Sequence, residues 1–430
     1  MTALRIALAG LGTVGAGTLC LLQKNADSIA AHAGCAVTVT AVSARDQTKS
    51  RVCSLEGVRW VDDARQLATL PDVDVVVELI GGAEGIAHEL CCAALRHGKH
   101  VVTANKALLA IHGAALAQLA EESGRQLMFE AAVAGGIPVI KTLREALSGN
   151  ALQAVQGILN GTCNYILTRM AGAGLEFDAA LKEAQDEGYA EADPGMDIDG
   201  HDTAHKLAIL AALAFGVPPE LASVTVEGLR RVTPFDLTFA AELGCRIKLL
   251  GVARLTEHGL EQRVGPCLVP QALPLATVDH VLNAISLQAD AAGTVTLVGR
   301  GAGGNPTASA VVADIIDLAR ASAVRPFGIP LASCRALAAT PPEARFSSWY
   351  VRLTVVDQPG VLADISAILR DEAISIKSIL QHGRSRTDSV PVIIVTHEVN
   401  EAAMRRAVKK MVAVKSVREE PCLMRMESGE

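Results

Sequence analysis

Residues 4–22 of this 430-residue chain read LRIALAGLGTVGAGTLCLL, and the glycines inside that apolar run decide how the chain begins to fold. Leu4 to Ala9 has the continuous apolar character of a buried strand. Gly10-Leu11-Gly12-Thr13-Val14-Gly15 follows at once, and a helical apolar pattern continues through Leu22. Strand, G-x-G-x-x-G turn and helix in that order form the dinucleotide-binding fingerprint in the context it requires. Gly10 permits the tight turn, Gly12 lets a pyrophosphate approach the backbone, and Gly15 lets helix and strand pack closely. Together with Thr13 and Val14 they present a helix N-terminus, where free N–H groups and the helix dipole favour phosphate charge. The run also has the basic start and apolar body of a signal peptide, but glycines at 10, 12, 15 and 17 would destabilise an apolar helix.

Moving outward, a second strand, Val37 to Val42, ends in Ser43-Ala44-Arg45. An acidic residue at that place binds a ribose 2′-hydroxyl, whereas an arginine suits a 2′-phosphate. Arg45 therefore favours NADP(H), with NAD(H) still acceptable because Asp46 is adjacent. A strand Val73 to Leu79, a turn at Gly81-Gly82, a helix to about His97 and a strand His100 to Thr103 complete an alternation that implies a doubly wound parallel sheet. Thr103-Ala104-Asn105-Lys106 then lies at the carboxyl edge, where such sheets bind ligands, and puts Lys106 near nicotinamide or substrate. Farther on, Phe129 to Val133 reads as a strand running into the Gly135-Gly136-Ile137-Pro138 turn. Carbonyls exposed by that turn, with the Glu130 carboxylate, could hold a small cation; a plain turn is the alternative.

The richest segment is residues 184–206, AQDEGYAEADPGMDIDGHDTAHK. It is dense in carboxylates, broken by Gly188, Pro194, Gly195 and Gly200, and leads into an apolar helix from His201 to Phe215. Asp202 and Lys206 are four residues apart at the start of that helix, so they share one face and can meet one zwitterionic ligand together. An EF-hand is disfavoured, because the D-x-D-x-D-G register with a distal glutamate is absent. A surface ion pair alone would leave the surrounding acidic density unexplained.

Ala184-x3-Gly188-Tyr189-Ala190-x2-Asp193-Pro194-x2-Asp197-Ile198-x-Gly200-x-Asp202-x3-Lys206 resembles the signature of homoserine dehydrogenases at every defined position. Similar agreement extends to the N-terminal glycine loop, Thr103 to Lys106, Glu130 to Pro138, Ile158 to Tyr165, and Gly299 to Gly303 with Pro306-Thr307-Ala308. The resemblance implies hydride transfer between aspartate 4-semialdehyde and homoserine, with a nicotinamide cofactor carrying the hydride. It implies that Lys206 stabilises and protonates the developing alkoxide, assisted by Lys106 and supported by Asp197. Glu191 and Asp202 would bind the substrate amino group, and Gly188 and Gly303 would line the cleft. A structural sodium ion would be held by Glu130, Val133, Gly135 and Ile137. Rival readings are another amino- or hydroxy-acid dehydrogenase on the same fold, or a sensor with a dead dehydrogenase body. The presence of Lys106, Glu191, Asp202 and Lys206 speaks against the second.

After a Pro/Ala-rich linker near Leu337 to Ala344 the pattern restarts. Strand Trp349 to Val355, turn Asp357 to Gly360, helix Val361 to Leu369, strands Ile374 to Leu380 and Val390 to Val399, helix Glu401 to Val412 and a last strand Ser416 to Met424 give a ferredoxin-like order. This part resembles an ACT domain, whose turn, here Asp357, Gln358, Pro359, Gly360, Val361 and Leu362, binds a small amino acid; threonine is the expected effector. A dimerisation module without ligand is the alternative. The expected division is a nucleotide domain over 1–137, an α+β substrate and dimerisation domain over 138–304, a return segment and linker over 305–345, and the regulatory domain over 346–430.

Composition sets outer bounds. With 50% hydrophobic residues but only 3% aromatic, the core must be mostly aliphatic. A net charge of −7 without a basic face excludes nucleic acid as a partner, and no run reaches the ~18 apolar residues of a membrane span. Ten cysteines without CxxC or metal spacing read as reduced thiols, with Cys20, Cys91 and Cys92 as small core residues, in a cytoplasmic enzyme. No aspartokinase-like extension is present, so a monofunctional enzyme, a homodimer or homotetramer, is expected.

Overall fold

A computed structural model describes residues 3–381 and 389–428. Its first sheet contains β1 (Leu4–Ala9), β2 (Val37–Ser43), β3 (Arg59–Trp60), β4 (Val75–Glu78), β5 (His100–Thr103) and β6 (Leu127–Met128). The spatial order is β3-β2-β1-β4-β5-β6, and every pairing is parallel. This is the doubly wound order expected from the alternation, with the strand order reversing between β1 and β4. The glycine roles are visible as collisions that side chains would cause. Gly10 has φ +99° and an added Cβ would lie 2.5 Å from the Leu79 carbonyl; one on Gly15 would strike the Gly10 carbonyl.

The segment after β6 departs from expectation. Only Leu127 and Met128 pair as strand, and Glu130–Ala132 forms a 3-10 turn. Two anchors bend it: the Glu130 amide donates to Asp314 Oδ2 (2.8 Å), and the Glu130 carboxylate accepts the amides of Ile140 (2.9 Å) and Lys141 (2.8 Å).

The second sheet has 11 strands. It comprises β7 (Leu152–Ile158), β8 (Thr225–Val226), β9 (Cys245–Thr256), β10 (Gly259–Pro270), β11 (Leu282–Ala289), β12 (Gly293–Arg300), β13 (Phe346–Val356), β14 (Ile376–Gln381), β15 (Ser389–Thr396), β16 (Val399–Asn400) and β17 (Cys422–Met426). Its last four places, β17-β13-β15-β14, are the ferredoxin-like arrangement predicted for the C-terminal part. The regulatory domain does not hang from a free linker. β17 pairs in parallel with β10, Cys267 opposite Arg425, so the catalytic sheet continues into the C-terminal one. Arg263, Glu427 and Glu261 form a buried ion-pair group across that seam. Asp236, fully buried, accepts both the Tyr350 hydroxyl (2.8 Å) and Arg352 Nε (2.8 Å). The Pro/Ala-rich connection is itself fastened, with the Leu260 amide bonded to the Ala338 carbonyl at 2.9 Å. The last strand lies later than expected, because Val417 only bridges Val355 and regular pairing starts at Cys422.

The cysteine reading needs correction. Cys20 and Cys53 form a disulfide with Cα atoms 5.2 Å apart, joining helix Thr13–Lys24 to the loop that crosses it. The remaining eight cysteines are free. Among the described residues no helix is long and apolar enough to cross a membrane.

Candidate active site

Two helix starts and one strand end converge beside the carboxyl edge of the first sheet. Asn105 caps helix Lys106–Ser123 through its side-chain oxygen, and its amide nitrogen donates to the Gly82 carbonyl (2.6 Å). That places Lys106 at the turn following β4. Helix His201–Phe215 brings Asp202 and Lys206 onto one face, as their spacing requires. From the end of β7 come the Leu159 carbonyl and Asn160.

The Lys206 ammonium is almost buried, at 8% exposure, and donates to Asp202 Oδ2 (2.7 Å) and the Leu159 carbonyl (2.7 Å). An ammonium has three donors, so one remains for a ligand. Asp202 has further partners: Oδ2 also accepts Asn160 Nδ2 (2.9 Å), while Oδ1 faces Lys106 Nζ at 3.2 Å. Burial pushes the Asp202 carboxyl up. The Lys206 and Lys106 ammoniums and the bonds from Lys206 and Asn160 outweigh burial and hold it well below the usual carboxylate range. The same Asn160 Nδ2 donates to Asp197 Oδ1 (2.7 Å), while Asn160 Oδ1 caps helix Gly161–Ala173. Asp197 shifts the other way, raised by burial and then by the neighbouring Asp202 charge.

Lys106, Asp197, Asp202 and Lys206 are thus brought together as the sequence implied. Asp202 is 5% exposed and faces both lysines, with acceptor capacity left on Oδ1 for a further donor. Glu191 lies elsewhere in the set: it is exposed, and its carboxylate makes no hydrogen bond or ion pair among the described residues. Gly188, with φ +75°, turns the chain out of helix Phe177–Asp186 four residues after Ala184. Asn160 was quoted in the family motif without a role, and its two carboxylate contacts are the linkage that residue spacing could not reveal.

A cleft of about 880 Å³ opens at the switch between β1 and β4, and three of the expected cofactor residues, Gly10, Gly12 and Arg45, line it. Lys49, Arg51 and Arg65 face Asp46, Asp62 and Asp63 in the same lining, and Arg65 is paired with Asp63 and Glu89. Asp46 closes its own turn, with Oδ1 accepting the Thr48 amide (2.8 Å) and hydroxyl (2.7 Å). Thr13 and Val14 open the following helix with no side chain capping its N-terminus, leaving its amides to an anion. Gly303 precedes helix Gly304–Ala319, whose first residue packs against Thr13. Thr103 is fully buried and its hydroxyl donates to Glu78 Oε2 (2.6 Å), which supports the floor of the site. Glu78, equally buried, also accepts the amides of Ile80 (2.7 Å) and Gly81 (3.0 Å), fixing the turn beside the glycine loop. A lone glutamate ending the apolar run Val75-Val76-Val77 was the sequence signal for it.

The chain matches the family model described as homoserine dehydrogenase over residues 138–316 and that of the homoserine dehydrogenase NAD-binding domain over residues 10–130. It is 45% identical to a homoserine dehydrogenase of Pseudomonas aeruginosa over 97% of both chains. The chain belongs to the homoserine dehydrogenase family. It is accordingly an oxidoreductase of amino-acid biosynthesis with a nicotinamide-cofactor domain. A solved homoserine dehydrogenase from Thiobacillus denitrificans superposes with a TM-score of 0.92 at 42% identity, covering 99% of this chain and 98% of that one. A hyperthermophilic archaeal homoserine dehydrogenase in complex with NADPH superposes over 74% of this chain and 97% of that one, with 27% identity and a TM-score of 0.62.

Residues 349–413 match the ACT domain model, so the C-terminal domain is an ACT domain. Its turn, Asp357 to Gly360, is followed by helix Val361–Asp371, capped at its N-terminus by Gly360 with φ +97° and by no side chain. Gln358, Pro359, Gly360 and Leu362 are exposed, whereas Val361 is buried. Around Glu130, Ala134 and Gly135 have positive φ (56° and 46°), which reverses the chain next to Val133 and Ile137. A carboxylate has about four acceptor sites, so the two amides leave Glu130 able to join turn carbonyls around a small cation. The donor set fits such an ion.

Proposed function

We propose that this enzyme interconverts L-aspartate 4-semialdehyde and L-homoserine, in the route to threonine, methionine and isoleucine. The observation that carries the proposal is the buried Lys206 ammonium with two of its three donors fixed. Bound in the cleft, a nicotinamide cofactor supplies or accepts the hydride. The third Lys206 proton is then available to the aldehyde oxygen as negative charge develops on it, and Lys106, at the open side of Asp202, adds a second positive charge. Asp202 and Asn160 hold both lysines in register, and Asp197 backs Asn160. Glu191, exposed on the acidic segment, takes the substrate ammonium together with Asp202, and Gly188 and Gly303 line the substrate side of the site.

NADP(H) is preferred and NAD(H) accepted, supported by Arg45 together with Lys49 in the same cleft. A sodium ion held by Glu130, Val133, Gly135 and Ile137 is structural and takes no part in the chemistry. The ACT turn from Asp357 to Leu362 binds an amino-acid effector, expected to be threonine, through the free helix amides. The enzyme works in the cytoplasm as a homodimer or homotetramer. A steady-state assay with the semialdehyde and each cofactor, with and without threonine, tests this reading. Aldehyde-dependent oxidation, faster with NADPH and slowed by threonine, is expected; no aldehyde-dependent oxidation with either cofactor would overturn it.

A further inference from the structure

Three side chains converge at the surface from three separate segments of the nucleotide domain. Glu84 stands in the turn between β4 and helix Ile86–Arg96, His88 in the first turn of that helix, and His112 in helix Lys106–Ser123. Gly85, with φ +71°, bends the chain between Glu84 and the first of these helices. One carboxylate oxygen and one nitrogen of each ring all lie within 4.8 Å of one another, the one such set of three among the described residues. Glu84 Oε1 meets His112 Nε2 at 2.7 Å, which accounts for one oxygen and one ring. The His88 ring stacks on that of His112, with centroids 4.2 Å apart, and its nitrogens make no hydrogen bond among the described residues.

We propose that Glu84, His88 and His112 bind one divalent transition-metal cation of the zinc class. Two imidazole nitrogens and a carboxylate oxygen are a donor set for zinc, whereas magnesium and calcium take oxygen donors. Imidazole lone pairs lie in the ring plane, so the stacked rings have to turn for both to meet one ion. That torsion is broad for histidine, and side-chain rotation closes the set to bonds of about 2.1 Å. The Glu84 side chain is 73% exposed, so water can fill the fourth position.

The ion joins two elements beside the cofactor cleft. Leu79, Ile80 and Ile86, on either side of the turn that carries Glu84, line that cleft. The turn is already tied to the start of helix Lys106–Ser123 by the bond from Asn105 to the Gly82 carbonyl. Linking Glu84 and His88 to His112 adds a second tie, which restrains the cleft wall and tightens NADPH binding. This consequence rests on the cleft being the cofactor site; the ion site does not.

Equilibrium dialysis of the full chain against zinc chloride tests the site. One zinc ion per chain is expected at micromolar free zinc, without competition from millimolar magnesium. The affinity should fall roughly tenfold or more, at least what loss of an outer partner costs a metal site, in His88→Ala, His112→Ala and Glu84→Gln. Glu84 is exposed, so Glu84→Gln should fold as the wild type does, and the exposed His258→Ala should leave the affinity unchanged. Zinc should raise the melting temperature of the wild type and not of His112→Ala. Cobalt(II) in its place should show no thiolate-to-metal charge-transfer band. Bound zinc should lower the NADPH dissociation constant roughly fivefold, the low end for coupled sites, in the wild type and not in Glu84→Gln. Zinc binding only at millimolar concentration, an affinity indifferent to all three variants, or a thiolate band placing the metal on cysteines would each overturn the site. An NADPH affinity unmoved by bound zinc would overturn the clamp. Zinc binding as described in a chain inactive on the semialdehyde would refute the proposed function alone.

Discussion

Replacing Lys206 by Met keeps the length and bulk of the side chain and removes only the ammonium, so it isolates that charge. Two effects should follow. For the chemistry, loss of a positioned proton donor lowers kcat by roughly 10²- to 10⁴-fold, which is about 3–5 kcal/mol of barrier. For the fold, Asp202 loses its nearest counter-ion at 2.7 Å while keeping Lys106 at 3.2 Å and Asn160 at 2.9 Å. Breaking a buried pair outright costs about 3–5 kcal/mol, and the two remaining partners should hold the loss to roughly 2–3 kcal/mol. The assay follows NADPH oxidation at saturating aldehyde, with NADPH affinity measured separately by fluorescence titration and unfolding by denaturant. The expected pattern is a collapse of kcat, a modest loss of stability and an NADPH affinity within about threefold of wild type. A kcat near the wild-type value would refute the proton-donor argument. A large loss of NADPH affinity instead would make Lys206 a cofactor contact.

Arg45→Ala should raise KM for NADPH by roughly 10- to 100-fold, the range of one charge-assisted contact, and leave KM for NADH unchanged; equal effects on both cofactors would remove its phosphate role. Asp314, beside Glu130, is raised to about 7 by burial and then by the Glu130 charge. Its folded value lies above the unfolded one, so the protonated form favours folding, and that contribution is complete below about pH 4 and lost as pH rises through about 7. Asp314→Asn should flatten the fall in melting temperature between pH 4.5 and 8, and an unchanged slope would contradict this. Deleting residues 346–430 strips β17 from β10 and leaves Arg263 and Asp236 buried without Glu427, Tyr350 and Arg352. The truncated chain should therefore be markedly less stable, not simply insensitive to effector; a wild-type denaturation midpoint would show the seam to be dispensable.

Local chemistry was readable where it is local in the chain. The glycine loop, the i,i+4 pair of Asp202 and Lys206, and the β-α-β-β-α-β order of the ACT domain all depend on neighbours within a few residues, and each appears as its spacing requires. What escaped is set by contacts between distant segments. Asn160 reaches Asp202 across 42 positions, Glu78 reaches Thr103 across 25, and Cys20 finds Cys53 across 33. Glu130 broke an expected strand because Asp314, 184 positions away, and two later amides bind it. The continuous sheet through β10 and β17 escaped for the same reason: each strand's pattern shows that it has a buried face, and neither shows which edge it will meet.

The central claim is that one donor of the Lys206 ammonium points at the reacting oxygen. A crystal structure of the ternary complex with NADP+ and homoserine measures this directly, as the separation between Lys206 Nζ and the homoserine hydroxyl oxygen. We expect about 2.7–3.2 Å, hydrogen-bonding distance, with the contacts to Asp202 and Leu159 retained. A hydroxyl resting on another group, with Lys206 still bonded only to those two partners, would contradict the account.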